Sequence, residues 1–235
     1  MVHSEKLDET ALWKEYKKKA DAGSERCIWV KKVYEYAANY LKDVRRIFGN
    51  YTLHDETHIL NVLDAMGGLL GDQISNLTVG ELELLILVAS LHDVGMVYTD
   101  EEQKAQYEDT ETCKKFLREH YPEFLGSPAE EWTVDMRQWY LRSLHSERVA
   151  EVLHNEAWKE LISQRPIDVV PFQCIVSVCE AHGYNPSDMV GNHDLDYLNA
   201  NDVSPLFCAL LLRLGDLLDF DDTRAPKVLY SYVGD

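Results

Sequence analysis

The chain reads as an all-α protein, a helical bundle, and three observations predict it. Apolar residues recur at helical spacing in segment after segment. Several of those segments open on a capping side chain and close on Gly or Pro. No alternating strand pattern of convincing length occurs, and there is no internal repeat. At 235 residues and 46% hydrophobic, the chain has material for one sizeable core.

The elements follow in order. Two helices are predicted at about 8–22 and 25–48, with Ser24 as N-cap of the second. Ile28, Val30, Val33, Tyr36 and Tyr40 form the expected buried stripe of that second helix. The next helix runs from about His54 to Leu70, with Ile59, Val62, Leu63, Met66 and Leu69–Leu70 on one face. Thr78 and Glu81 form a capping box that launches Leu82–His92. That helix is apolar nearly all round, which places it at the centre of the fold. Residues 100–131 are polar and acidic, with an amphipathic helix across Glu111–Glu119 that Pro122 stops. A long helix at 133–155 and an apolar one at 168–182 come next. Gly183–Asn201 is rich in Gly, Asn, Asp and Pro and reads as a loop, before a last helix over Pro205–Phe220.

Charge limits the partners. The 23 Lys+Arg and 41 Asp+Glu give a net −18. Such a surface repels the phosphates of long nucleic acids and the face of an anionic membrane. It still admits a small phosphorylated ligand, because a bound divalent metal reverses the local field. Residues 1–50 hold 11 Lys/Arg against 8 Asp/Glu, a mildly basic layer beside an acidic body. The longest largely apolar run, Leu84–Leu91 with Ser90 inside it, is far short of the roughly 20 residues needed to cross a bilayer. No secretory signal is visible. Five widely spaced cysteines without a CxxC pair suit a reduced, cytoplasmic protein.

The histidines carry the chemistry. His-Asp occurs as His54-Asp55, His92-Asp93 and His193-Asp194. The last sits in the Gly/Asn loop and reads as solvated. His92-Asp93 ends the most buried helix, where a charge needs a counter-charge or a metal. His54 and His58 stand at i, i+4 on one helix face. They are a surface pair or, better suited to a helix N-terminus, neutral metal-bound imidazoles. Asp216, with Asp219 at i+3, follows an apolar run near a helix C-terminus, where the dipole repels anions. A metal would reverse that, and Arg213 or Arg224 could also compensate. His145, read as mid-helix, and His182 are each ordinary structural histidines alone; together they can fill a second metal position. His3, His120 and His154 are read as surface.

The order His58, His92-Asp93, Asp216, each on an apolar helix, resembles the HD superfamily of metal-dependent phosphohydrolases. The strings Tyr51-Thr-Leu-His-Asp-Glu-Thr-His-Ile, Leu91-His-Asp-Val-Gly-Met96 and Leu212-Arg-Leu-Gly-Asp-Leu-Leu-Asp219 are similar to that family's ligand helices. The likeness spans about residues 50–225 and implies an HD-type helical bundle. We therefore divide the chain into an N-terminal layer, 1–50, and a metal-binding domain, 51–235, forming one continuous unit. The resemblance implies His58, His92, Asp93 and Asp216 as ligands of one metal, with Asp93 bridging to a second held by His145 and His182. It implies His54 as general acid. It further implies one or two divalent transition-metal ions (Mn, Fe, Co, Ni or Zn) and a metal-activated water attacking a nucleotide or other small phosphate ester. Arg148, Arg213 and Arg224, with Lys227, are candidate phosphate contacts. A regulatory, ligand-sensing module and a di-iron oxygenase are the alternatives. The chain ends at Asp235, soon after the Asp216 helix, so an effector domain following within a longer bacterial protein is expected.

Overall fold

Side-chain caps set where the helices start. Thr10 accepts the N–H of Trp13 and opens α1 (Ala11–Ala20); Ser24 accepts that of Cys27 and opens α2 (Glu25–Tyr40). The computed structural model describes residues 6–48, 56–108, 110–195 and 203–219. A 3₁₀ turn carries α2 into α3 (Val44–Ile47), and α4 spans Glu56–Leu70. The predicted capping box is present, with Thr78 and Glu81 each bonded to the other's backbone N–H at the head of α5 (Val79–Leu91). A second capping box, Thr99 with Glu102, opens α6 (Asp100–Gln106), which was not predicted. Then come α7 (Glu111–His120), α8 (Val134–Ser143), α9 (Val149–His154), α10 (Glu156–Ser163), α11 (Phe172–Ala181), α12 (Pro186–Met189) and α13 (Pro205–Leu218). All regular elements among the described residues are helical, as predicted.

Three sequence expectations change. The helix predicted over 133–155 is two helices, α8 and α9, with turns at 144–148 between them. His145 therefore lies in a break, not mid-helix. The buried residues of α2 are Cys27, Trp29, Val30, Val33, Tyr34, Ala37 and Ala38, while Ile28 is 49% exposed. Leu69 also points outward.

The main core joins Leu12 and Trp13 of α1, Val33 of α2, Leu63 of α4, Ile175 of α11 and Leu212 of α13 around α5. Every residue from Leu82 to Leu91 is buried, so α5 has no solvent face. The N-terminal layer thus shares the core of the remainder. A separate aromatic core, with Phe116, Trp132, Met136 and Tyr140, organises the acidic excursion between α5 and α9. α13 crosses α4 at close range: a Cβ on Gly215 would sit 2.7 Å from Met66 Cγ and 3.1 Å from the Val62 carbonyl oxygen. Glycine at this crossing lets α13 bring Asp216 beside His58.

One charge lies inside α5. Glu83 is fully buried, and its carboxylate accepts from Tyr16 Oη (2.7 Å), Arg26 Nε (2.9 Å) and the Val170 N–H (2.8 Å). Arg26 Nη2 lies 2.8 Å from the same carboxylate. Buried carboxylates persist when every lone pair has a donor. This network ties α1, α2 and the approach to α11 onto one end of α5. Glu83→Ala leaves Arg26 and Tyr16 without that partner. It should lower unfolding free energy by about 3–5 kcal/mol, read from urea denaturation. A loss under about 1 kcal/mol would show that the network is not a structural tie.

Candidate metal centre

The helices deliver their last turns to one place. His92 caps the C-terminus of α5, His182 that of α11, and Asp219 that of α13. Asp216 stands in the last turn of α13, and His145 follows α8. His58 comes from the first turn of α4. Four C-terminal dipole ends gathered in one place favour a cation there.

Two groups of donors meet at Asp93. In the first, His58 Nε2 lies 3.1 Å from His92 Nε2 and 3.1 Å from Asp93 Oδ2. Asp216 Oδ1 completes it, 3.4 Å from His58 Nε2 and 3.9 Å from His92 Nε2. In the second, His145 Nε2 lies 2.8 Å from His182 Nε2 and 3.4 Å from Asp93 Oδ1. Ligands held at ~2.1 Å around one metal are themselves about 3.0–3.5 Å apart. Most of these separations lie in that range, with His145–His182 shorter and His92–Asp216 longer, and the sets His58–His92–Asp93 and Asp93–His145–His182 can each hold a metal ion. Asp93 offers one oxygen to each.

The imidazole tautomers point the same way. His92 Nδ1 lies 3.1 Å from the Ala89 carbonyl, His145 Nδ1 lies 2.6 Å from that of Arg142, and His182 Nδ1 contacts that of Cys179. His58 Nδ1 lies 2.6 Å from Asp219 Oδ2. Each acceptor takes an Nδ1–H, so Nε2 of the neutral rings His92, His145 and His182 carries a lone pair. Lone pairs facing one another at these distances repel, and a shared cation removes the repulsion. Burial and the neighbouring His182 push His145 down to about 4. Burial also lowers His92 and His182. All three are therefore neutral at pH 7, as metal ligands must be.

Gly95 fixes the distance between the groups. A Cβ there would meet the His145 carbonyl oxygen at 1.9 Å, so the backbone after Asp93 lies directly on the backbone of the 144–148 break. Gly95 thus makes its close approach to the segment carrying His145.

The arginines are placed differently from expectation. Arg148 is 4% exposed and donates from Nη1 to the carbonyls of Gly95 and Val97. Its guanidinium stacks on Tyr98 and faces Glu102 at 3.4 Å. Through Nη1 the guanidinium, expected at phosphate, clamps across the helix break. Arg213, half-buried, donates from Nη1 to the carbonyls of His182 and Tyr184. His54, Arg224 and Lys227 lie outside the described residues. His193 and Asp194 are exposed in the loop, and His120 and His154 are exposed as expected. Sequence reasoning missed Glu83 and the contact of Asp219 with His58.

Asp93→Ala should lose bound metal from both groups while the protein stays folded, as measured by elemental analysis; unchanged metal content would overturn the assignment. His182→Ala should take the stoichiometry from near two toward one. Acid should weaken the metal-free fold. The unfolded chain takes up protons at histidines near pH ~6.5, whereas folded His145 takes one only near 4. The urea midpoint of metal-free protein should therefore fall as pH drops through that window. The fall should be shallower in His145→Gln.

A family model described as HD-CE matches residues 48–234, most of the chain. No curated protein and no solved structure matches the chain at a significant level. Matched over that length, and with the His/Asp cluster inside the matched region, the chain belongs to the HD-CE family of HD-type domains.

Proposed function

We propose that the chain is a metal-dependent phosphohydrolase acting on a nucleotide or another small phosphate ester. The observation that carries this reading is the position of Asp93, with Oδ2 3.1 Å from His58 Nε2 and Oδ1 3.4 Å from His145 Nε2. A carboxylate reaching two histidine groups is the arrangement expected of a two-cation centre for in-line phosphoryl chemistry. His58, His92, Asp93 and Asp216 would hold one ion; Asp93, His145 and His182 would hold the other. Imidazole and carboxylate donors suit Mn, Fe, Co, Ni or Zn better than Ca. Bound there, such ions would acidify a coordinated water and neutralise phosphate oxygens.

The chain's own residues do the rest. The donor set pairs two carboxylates with imidazoles, so a centre loaded with two divalent ions is net positive even in a chain of net charge −18. That attracts a phosphate anion the rest of the surface repels. The exposed edge of the cluster is Asp216 at 31% and His145 at 18%, against 0% for His58, which favours a small ligand entering from that side. His54, four residues before His58, is the proposed proton donor to the leaving oxygen. Arg213, three residues before Asp216, and Arg224 remain the proposed phosphate contacts.

The test is a panel of dNTPs, cyclic nucleotides, ppGpp and phosphomonoesters, assayed with Mn²⁺, Co²⁺ and Ni²⁺ alongside metal analysis. Phosphate release that disappears in Asp93→Ala is the expected result. A fully loaded protein inert toward the whole panel would refute hydrolysis and favour a sensing role. An iron-loaded protein that consumes dioxygen would refute it in favour of oxygenation.

A further inference from the structure

We infer that Asp219 is a positioning residue of the metal centre, holding His58 in the tautomer and orientation that aim Nε2 at the first metal position. The inference rests on the reading of His58 as a metal ligand. Asp216 and Asp219, one turn apart at the end of α13, flank the same imidazole. Asp216 Oδ1 lies 3.4 Å from Nε2, and Asp219 Oδ2 lies 2.6 Å from Nδ1. The other oxygen of Asp219 accepts from Asn61 Nδ2 at 2.7 Å, so both lone-pair edges of the carboxylate are held by α4. Asp219 is 8% exposed, and the His58 side chain is wholly buried.

The other imidazoles show the contrast. His92, His145 and His182 each rest Nδ1 on a carbonyl three residues back, the kind of acceptor left open where a helix ends. His58 instead meets a carboxylate from another element, the C-cap residue of α13. A carboxylate on the far nitrogen of a ligating imidazole fixes the ring and makes Nε2 a stronger donor. The expected role for two acids at i, i+3 thus divides: Asp216 faces the metal position, and Asp219 faces the ligand that serves it.

The experiment uses the full chain stripped with chelator and titrated with Mn²⁺ and Co²⁺. Wild type, Asp219→Ala, Asp219→Asn and His58→Ala are compared, as is the double variant. The tautomer of His58 is read by ¹⁵N–¹H correlation of the imidazoles in metal-free protein. Asp219→Ala should weaken one metal position about 10–100-fold and leave the other unchanged. It should also move His58 off the Nδ1–H tautomer. Asp219→Asn keeps an acceptor oxygen and should recover most of the affinity and the tautomer. In a His58→Ala background, Asp219→Ala should have no further effect on affinity. If wild type binds neither ion, the metal reading fails and takes this inference with it. If wild type binds both ions and a folded Asp219→Ala matches it in affinity and tautomer, only this inference fails. Should Asp219→Ala not fold, Asp219→Leu and Asn61→Ala carry the same comparison, and wild-type affinity with the wild-type tautomer in both would overturn the assignment.

Discussion

A helix with no face on water cannot leave a charge unmatched, and α5 carries charge at both ends. Glu83 lies in its first turns and His92-Asp93 at its close. The two ends solve the same desolvation problem in opposite ways. At Glu83 donors surround one carboxylate: a phenol, a guanidinium and a main-chain N–H. That network is complete within the protein. At Asp93 the nearest side chains are the imidazoles of His58, His92 and His145, with Asp216 beside them. That set of donors can take up a cation. The rest of the molecule follows from this asymmetry: α1 and α2 close over one end, while α4, α11 and α13 gather ligands at the other.

The centre is held mainly by main chain. Three of its imidazoles are anchored to carbonyls of their own chain segment, so their orientation is as rigid as the backbone that carries them. Gly95 presses one donor-bearing segment onto another with no side chain between. A site assembled this way keeps its ligand spacing without a large surrounding polar network, which suits a core otherwise filled by Leu, Val and Ile.

Periodicity and capping made the all-α class, the Thr78–Glu81 box and the buried α5 legible before any coordinates. Spacing and burial logic marked candidates, and the HD resemblance picked out the six residues that the fold brings together: His58, His92, Asp93, His145, His182 and Asp216. What stayed hidden was long-range. Glu83 sits in an apolar helix, and its partners lie 57 to 87 residues away, so no local pattern announces them. The break at His145 follows no Gly or Pro; it packs on Gly95 and is tied through Arg148 to the Gly95 and Val97 carbonyls from across the fold. Arg148 looked like a free cation because its acceptors are main-chain carbonyls, which sequence does not display. Asp216 and Asp219 looked equivalent because one turn separates them. Only the crossing of α13 over α4 assigns their different neighbours.

The clamp at Arg148 also bears on how this chain can vary. Arg148 holds Gly95 and Val97, and Tyr98 Oη donates to the Leu141 carbonyl at 2.8 Å. The acidic excursion therefore leaves the body and returns through a sewn neck, and it folds around its own aromatic core. Loops whose ends are pinned together tolerate changes in length cheaply. Residues in the excursion are thus free to lengthen, shorten or be exchanged for another module while Asp93 and His145 keep their separation. The neck makes this segment a natural place for lineages to diversify around an unchanged centre.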